Sequence, residues 1–248
     1  MKNDWQNRTE ILIGKENLEN LQKTCVTIVG LGGVGSFAVE GLVRAGIGNF
    51  QLIDYDRVNL SNINRQILAT QKTIGLYKTE VMKQRMLEIN PEAKIEIFTD
   101  FLHKENRFDI IKKSDYILDA IDSIGPKMGL IKDLCSIEKN FVSVLGAGNR
   151  INPEMIQITS IWKTTGCPFA KRLKKLLRRN DISKDFPVVF SSEKPIDNSI
   201  LTDEISIEKE MNTIETHIPK SIIGSISYIP AIMGMMAAGK IINEIIRL

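Results

Sequence analysis

The chain is poor in the residues that cross-link small folds or bind zinc: it has 3 cysteines and 2 histidines among 248 residues. Cys25, Cys135 and Cys167 are odd in number and far apart, which argues against a disulfide framework and against a CxxC zinc site. We therefore expect no zinc and a reducing, cytoplasmic compartment. Residues 1–12 carry charged side chains and no apolar core, so no secretory signal is expected.

Extreme composition is also absent. The chain has 33 basic and 30 acidic residues, a net charge of +3, and 43% hydrophobic residues, which is the balance of a globular protein.

Residues 221–239 hold no charge, but Pro230 and three glycines interrupt them. Because proline fits the first turn of a helix, we expect a helix over 230–246 whose uncharged part is too short to cross a bilayer. The sequence thus predicts a buried terminal helix and no membrane span.

Strands and helices alternate through the first 150 residues. Strands are predicted at 26–29, 50–54, 94–98, 115–120 and 141–145, and helices at 36–45, 78–89 and 126–139. This alternation is typical of βαβ units. A further strand is expected at 156–159. The predicted fold class is α/β, a Rossmann-like nucleotide-binding fold with a mostly parallel, partly mixed sheet and a C-terminal extension.

A concentrated basic segment occupies residues 163–184, with eight basic residues and one acid. Phe169, Leu173, Leu176 and Leu177 recur at helical spacing, so part of the segment is predicted to be an amphipathic helix. Its other face carries Lys171, Arg172, Lys174, Lys175, Arg178 and Arg179. Such a face is either an ordinary solvated surface or a contact for nucleic-acid phosphates. Residues 198–218 are acidic, polar and weakly periodic, and we expect them to be mobile.

A glycine-rich motif, GLGGVG at 30–35, follows the first predicted strand and opens the first predicted helix. Glycines allow the backbone to approach a phosphate closely, and the helix N-terminus supplies N–H donors. Asp54, at the end of the next strand, is placed to accept hydrogen bonds from ribose hydroxyls. These features predict a bound nucleotide, but an NAD-dependent oxidoreductase would share them.

The segment from Asp56 to Lys78 favours ATP over NAD. Nucleotidyl transfer expels pyrophosphate, so fixed cations and a metal should line the phosphate chain. Arg65 and Lys78 supply cations, and Asp122 offers Mg²⁺ a hard oxygen ligand. Taken singly, each side chain is better explained as a solvated surface charge, but together with the glycine loop they favour ATP. The predicted nucleotide-binding set is Gly30, Gly32, Gly33, Gly35, Asp54, Asp56, Asn62, Arg65, Gln66, Lys78 and Asp122, with Asp122 on the metal.

Four motifs resemble the ThiF/MoeB ubiquitin-activating superfamily: GLGGVGS (30–36), LIDYDRVNLSNINRQ (52–66), IGLYK (74–78) and DAIDS (119–123). Its members adenylate a carboxylate with ATP. The second half resembles the tRNA threonylcarbamoyladenosine dehydratases, through residues 163–164, 168–171 and 189–193 and the helix with Pro230. The resemblance implies one adenylating domain over 1–248 with a basic, tRNA-facing insertion at 163–184. It also implies adenylation of a threonyl carboxylate on tRNA, followed by ring closure with loss of water.

Further roles follow from the resemblance alone. It implies a homodimer in which Arg8 reaches the partner's ATP, so the implied catalytic residues are Arg8, Arg65, Lys78 and Asp122. Ser191 and Ser192, with Glu193, are expected to line the tRNA nucleotide or a monovalent cation, beside the six cations of the basic helix. Sulfur-transfer proteins of the same pathway are further candidate partners.

Two alternatives remain open. Members that activate sulfur-carrier proteins adenylate a C-terminal carboxylate, but they usually carry two CxxC pairs, and this chain has none. A non-catalytic, nucleotide-dependent RNA-binding protein would also account for the glycine motif and the basic segment. Pyrophosphate release with tRNA, with a carrier protein or with neither distinguishes the three hypotheses.

Overall fold

The computed structural model describes residues 4–100, 104–197 and 223–246. The segment 198–218, predicted to be mobile, therefore lies outside the described residues. The strands are β1 (Cys25–Val29), β2 (Asn49–Ile53), β3 (Lys94–Phe98), β4 (Tyr116–Asp119), β5 (Asn140–Val144), β6 (Ile156–Ser160) and β7 (Pro187–Ser191). The helices are α1 (Asn7–Ile13), α2 (Lys15–Lys23), α3 (Gly35–Ala45), α4 (Lys78–Ile89), α5 (Lys104–Lys112), α6 (Ile124–Ser136), α7 (Pro168–Arg179) and α8 (Tyr228–Ile246).

All seven described strands join one sheet in the order β3-β2-β1-β4-β5-β7-β6. Every neighbouring pair is parallel except β6 and β7, which are antiparallel. The predicted mostly parallel, partly mixed sheet is confirmed. The chain runs outward from β1 to β3 and then crosses back to β4 on the other side of β1. Ligands of doubly wound sheets bind at such a switch point, outside the carboxyl ends of the strands.

Helices cover both faces of the sheet, which explains why the central strands are continuous apolar runs. In β4, Ile117 and Leu118 are fully buried in different core clusters, because successive side chains of a strand point to opposite faces. One cluster contains α3 and α8, and the other contains α6 and α7. The fold therefore has three layers, with the phosphate-binding motif on the α3 side.

The last helix, α8, begins two residues before its predicted start at Pro230. By length and composition it is a candidate membrane span, but Met233, Ala237 and Ile241 are fully buried in the core. It packs very closely on α3, since a Cβ at Gly234 would lie 2.3 Å from the Val34 carbonyl oxygen. The predicted buried terminal helix is thus confirmed, and only glycine permits this approach.

Candidate active site

The glycine loop between β1 and α3 has a conformation that its glycines permit. Gly30 has φ +94°, and a Cβ there would lie 2.8 Å from the Ala120 carbonyl oxygen. A Cβ on Gly35 would lie 1.8 Å from the Gly30 oxygen, so the first turn of α3 packs directly on the loop. At Gly32 the added atom would meet only Gln66 Nε2, 4.0 Å away. The loop is closed on its protein side and open at Gly32, where a phosphate can approach.

Asp54 follows β2 and fastens the glycine loop to the second strand. Its Oδ2 accepts from the Leu31 N–H at 2.6 Å, and its Oδ1 accepts from the Asp56 N–H at 2.8 Å. Burial raises the pKa of Asp54, while the Lys78 ammonium and the two N–H donors oppose that rise. A carboxylate has about four lone-pair sites, so Asp54 still has capacity to accept from ribose hydroxyls.

Lys78, the first residue of α4, lies between two of the predicted carboxylates. Its Nζ is 2.6 Å from Asp56 Oδ2 and 3.9 Å from Asp54 Oδ1, and the lysine is only 5% exposed. The loop from β2 returns to this point because the Lys78 N–H donates to the Asp56 carbonyl at 3.1 Å. The Arg57 guanidinium also stacks over the Tyr77 ring, 3.8 Å from its centroid. Asp54, Asp56 and Lys78 are therefore brought together beside the glycine loop.

The NINRQ element (62–66) packs against the same loop, since a Cβ on Gly33 would lie 3.1 Å from the Arg65 carbonyl oxygen. Asn62 Oδ1 accepts from the Asn59 N–H at 3.0 Å. The amide NH₂ of Asn62 is therefore the end of this side chain that can donate to a ligand. Arg65 Nη1 donates to the Ser61 carbonyl at 2.8 Å. Gln66 Oε1 is buried and accepts from no group in the described residues. Such an orphaned acceptor fits a ligand that carries donors, as the ribose and adenine of a nucleotide do.

Asp122 lies on the exposed segment after β4, where its Oδ1 accepts from Ser123 Oγ at 3.0 Å. Burial, and then the charges of Asp56, Asp122 and Asp54, raise the pKa of Tyr55. The charges of Asp54, Asp56 and Asp122 therefore all oppose ionisation of this exposed phenol, which the sequence did not single out. Across residues 4–100, 104–197 and 223–246, no three His, Cys, Asp or Glu side chains are placed to hold a metal. A single carboxylate nevertheless fits Mg²⁺, which in nucleotide sites takes most ligands from phosphates and water.

A buried ion pair lies beneath this segment. Lys127 and Asp119 are both fully buried, with Nζ 2.7 Å from Oδ2. Lys127 also donates to the Val144 carbonyl at 3.0 Å, and Ser143 Oγ donates to Asp119 at 2.6 Å. Burial lowers the pKa of Lys127, although the Asp119 charge opposes that shift. The pair joins the carboxyl ends of β4 and β5 and supports the chain that carries Asp122.

A second ion pair joins α3 to α4 and so fixes the glycine loop relative to Lys78. Glu40 of α3 accepts from Arg85 of α4 in a two-point contact, with Nε to Oε2 at 2.7 Å and Nη2 to Oε1 at 3.0 Å. Burial opposes the charge of Glu40, but hydrogen bonds from Arg85 and Arg44 prevail and lower its pKa.

The predicted basic helix is present as α7, which packs on the core through Leu173 and Leu177. Its cations are not equivalent. Lys171, Arg172, Lys175 and Arg179 are exposed. Lys174 Nζ donates to the Thr164 carbonyl at 2.8 Å, and the Arg178 guanidinium lies 5.3 Å from the centre of the Trp162 ring. Four of the six predicted tRNA contacts therefore face solvent without such a contact.

The two serines predicted at the end of β7 differ in burial. Ser191 is fully buried, and its Oγ accepts from the Glu193 N–H at 3.2 Å. It therefore faces the interior, whereas Ser192 is half-buried. The Glu193 carboxylate accepts from the N–H groups of Ile151 and Asn152 at 3.1 and 3.0 Å. Glu193 thus holds the chain that leaves β5.

Arg8 lies on the exposed surface of α1, three and four residues before Ile11 and Leu12. Those two side chains are 85% and 81% exposed. Residues at this spacing share one face of a helix, so α1 presents an arginine beside two uncovered apolar side chains.

The chain is similar over nearly its whole length to known proteins. The model of the ThiF family matches residues 6–247. A tRNA threonylcarbamoyladenosine dehydratase of Bacillus subtilis is 35% identical over 243 residues, which are 97% of this chain and 94% of the relative. The Escherichia coli enzyme of that name, TcdA, solved in complex with ATP, is similar with a TM-score of 0.85 and 31% identity, over 99% of this chain and 96% of that chain. Its structure with AMP gives a TM-score of 0.84 at the same identity and coverage.

Proposed function

The chain belongs to the ThiF family, and from this premise we propose that it is an ATP-dependent tRNA threonylcarbamoyladenosine dehydratase. The observation that carries the proposal is the extent of its similarity to the dehydratases, which runs through α7, β7 and α8 as well as the ATP site. A similarity confined to the glycine loop and the NINRQ element would fit any adenylating member of the family.

In the proposed reaction the chain first binds ATP across the switch point. The N–H groups of the glycine loop approach the phosphates at Gly32, and Asp54 accepts from the ribose hydroxyls. Arg65, Lys78 and the amide of Asn62 donate to the triphosphate. Asp122 holds Mg²⁺, which when bound neutralises charge on the phosphate oxygens. Lys78 is already fixed by Asp56, so little reorganisation is needed to stabilise charge there.

Adenylation then forms a bond between a carboxylate oxygen of the substrate and the α-phosphorus of ATP, as the bond to pyrophosphate breaks. Negative charge accumulates on the departing pyrophosphate, where Arg65 and Lys78 stabilise it. An atom of the same modified side chain then attacks the activated carbonyl carbon, and the bond to AMP breaks. The substrate loses one water while ATP becomes AMP and pyrophosphate. This route needs no nucleophile from the protein.

The substrate and the assembly belong to the same proposal. The exposed cations of α7 contact phosphates of the tRNA anticodon arm, which a small metabolite would not require. The face of α1 with Arg8, Ile11 and Leu12 packs against a second copy, in which Arg8 completes the ATP site. We place the homodimer in the cytoplasm, where its tRNA is found, and leave a monovalent cation near Ser192 and sulfur-transfer partners as predictions.

The test is mass spectrometry of nucleosides from tRNA that carries linear threonylcarbamoyladenosine, after incubation with the protein, ATP and Mg²⁺. We expect loss of one water from that nucleoside and one AMP per product, and neither with the Lys78→Ala variant. Pyrophosphate release with a carrier-protein C-terminus, and none with tRNA, would favour the carrier alternative. Release with neither substrate would favour a non-catalytic RNA-binding protein.

A further inference from the structure

A short segment connects the chain that follows β5 to the phosphate-binding loop. Residues 223–230, here called the strap, comprise the approach to α8 and its first three residues, and two of them are bonded to the chain that follows β5. The Gly224 N–H donates to Asn149 Oδ1 at 2.6 Å, and the Tyr228 hydroxyl donates to the Ile151 carbonyl at 2.9 Å. The last residue of the strap, Pro230, abuts the glycine loop, since a Cβ on Gly33 would lie 3.1 Å from Pro230 Cβ. The strap thus spans from β5 to the phosphate-binding loop.

Asn64 contacts the middle of the strap and the adjacent arginine with the two ends of one amide. Its Nδ2 donates to the Ser225 carbonyl at 3.0 Å, and its Oδ1 accepts from Arg65 Nη1 at 2.9 Å. The chemistry of the partners fixes this orientation, because a carbonyl only accepts and a guanidinium only donates. Asn64 therefore connects Arg65 to a part of the chain that is 161 residues away.

The bond to Asn64 adds a second restraint on the Arg65 side chain. Arg65 Nη1 has two acceptors, the Ser61 carbonyl and Asn64 Oδ1. Only the second depends on a side chain, so only the second can be removed by substitution. An arginine that is held in place before its ligand arrives loses less conformational freedom on binding. Asn64 is exposed and lies outside the core, so its substitution should leave the fold intact.

We propose that Asn64 is a positioning residue that holds Arg65 toward the triphosphate and couples it to the strap. ATP binding at Arg65 then fixes the strap against the chain after β5, on the side where the tRNA carboxylate must lie. The assignment rests on the proposed function in one respect, the contact between Arg65 and ATP. Asparagine is required because aspartate can accept from Arg65 but cannot donate to the strap, and alanine can do neither.

The first test is a double-mutant cycle on ATP affinity, measured by titration calorimetry without tRNA. Asn64→Ala should weaken ATP binding about 5-fold in the wild-type background and by less than about 1.5-fold in the Arg65→Ala background. Asn20→Ala, an exposed asparagine in α2 near the amino end of β1, is the matched control and should change nothing. Equal losses in both backgrounds, or no loss in the first, would overturn the positioning role.

The second test follows hydrogen exchange of residues 223–230 with and without ATP. In the wild type we expect ATP to slow exchange of the strap. In Asn64→Asp, which keeps the acceptor for Arg65 and loses the donor to Ser225, we expect exchange to be the same with and without ATP. A wild-type strap indifferent to ATP would refute the coupling. Neither test uses tRNA, so a protein that passes both and leaves tRNA unmodified would refute the proposed function alone.

Discussion

The exposed cations of α7 allow the tRNA hypothesis to be tested quantitatively. The perturbation is the simultaneous change of Lys171, Arg172, Lys175 and Arg179 to alanine. These four are exposed and make no such contact, whereas Lys174 is bonded to the Thr164 carbonyl and the exposed Arg178 lies 5.3 Å from the centre of the Trp162 ring. The variant therefore removes four exposed cations and leaves those two contacts intact.

The expected magnitude follows from counterion release. Each lost phosphate contact flattens the dependence of log affinity on log salt by about 0.7 to 0.9, so four contacts should flatten it by about 3. Between 50 and 200 mM salt, the wild type should then lose about 60-fold more affinity than the variant. Stability should change little, because exposed charges contribute at most about 1 kcal/mol each. ATP affinity should be unchanged, since none of the four lies near the glycine loop.

The assay is fluorescence anisotropy of a labelled modified tRNA over a series of KCl concentrations. The matched control changes four other exposed lysines, Lys23, Lys94, Lys112 and Lys113, to alanine. They lie near the amino ends of the strands, opposite the site, and remove the same net charge. Equal slopes for the α7 variant and the wild type would remove α7 from the tRNA surface. An equal flattening in the control would show a general charge effect instead.

Three further predictions concern the metal, the α3–α4 ion pair and the dimer. Asp122→Asn should abolish pyrophosphate release and leave the melting temperature unchanged, because Asp122 is exposed; release at the wild-type rate would place the metal elsewhere. The pKa of Glu40 lies below its ordinary value of 4.5, so its charge stabilises the fold at neutral pH, and that stability is lost as the pH falls through the folded pKa. Glu40→Gln should therefore lower the free energy of unfolding by about 1–2 kcal/mol at pH 7, a value discounted because Arg85 is partly exposed. The loss should become progressively smaller only as the pH falls below the ordinary value of 4.5, as urea titrations would show, and parallel curves down to pH 3 would contradict this. An equimolar mixture of Arg8→Ala and Lys78→Ala subunits should recover about a quarter of wild-type activity, because about half of the dimers are mixed and each mixed dimer has one intact site of two; a mixture as inactive as its parents would refute the shared site.

Elements with a strong local pattern were predictable from the sequence. Lys78–Ile89 and Lys94–Phe98 have their predicted bounds, since the helix ends before Asn90-Pro91 and proline disfavours a helical residue before it. α1 was not predicted because it buries no residue and so has no apolar stripe. β7 was also missed, because a short run of buried residues has no periodicity to identify it.

The candidate site likewise has parts that the local sequence predicts and parts that depend on the fold. The glycine loop and Asp54 were predictable because their geometry is set within a few residues of β1 and β2. The pairing of Lys127 with Asp119, and of Asn64 with Ser225, was not, because each depends on segments that only the folded sheet brings together. Charge counting likewise gave the number of cations on α7, but tertiary contacts decide which of them are engaged.

The close approach of α8 to α3 also sets an order of events during synthesis. Gly234 faces the Val34 carbonyl, but it is synthesised 200 residues later than Val34. Until then the nascent chain contains every phosphate-binding motif, yet the apolar face of α3 that α8 covers remains exposed to water and to chaperones. The glycine loop acquires its final packing only when α8 docks. A chain cut short by a premature stop codon would therefore retain all the signature motifs of the family and still lack a finished ATP site.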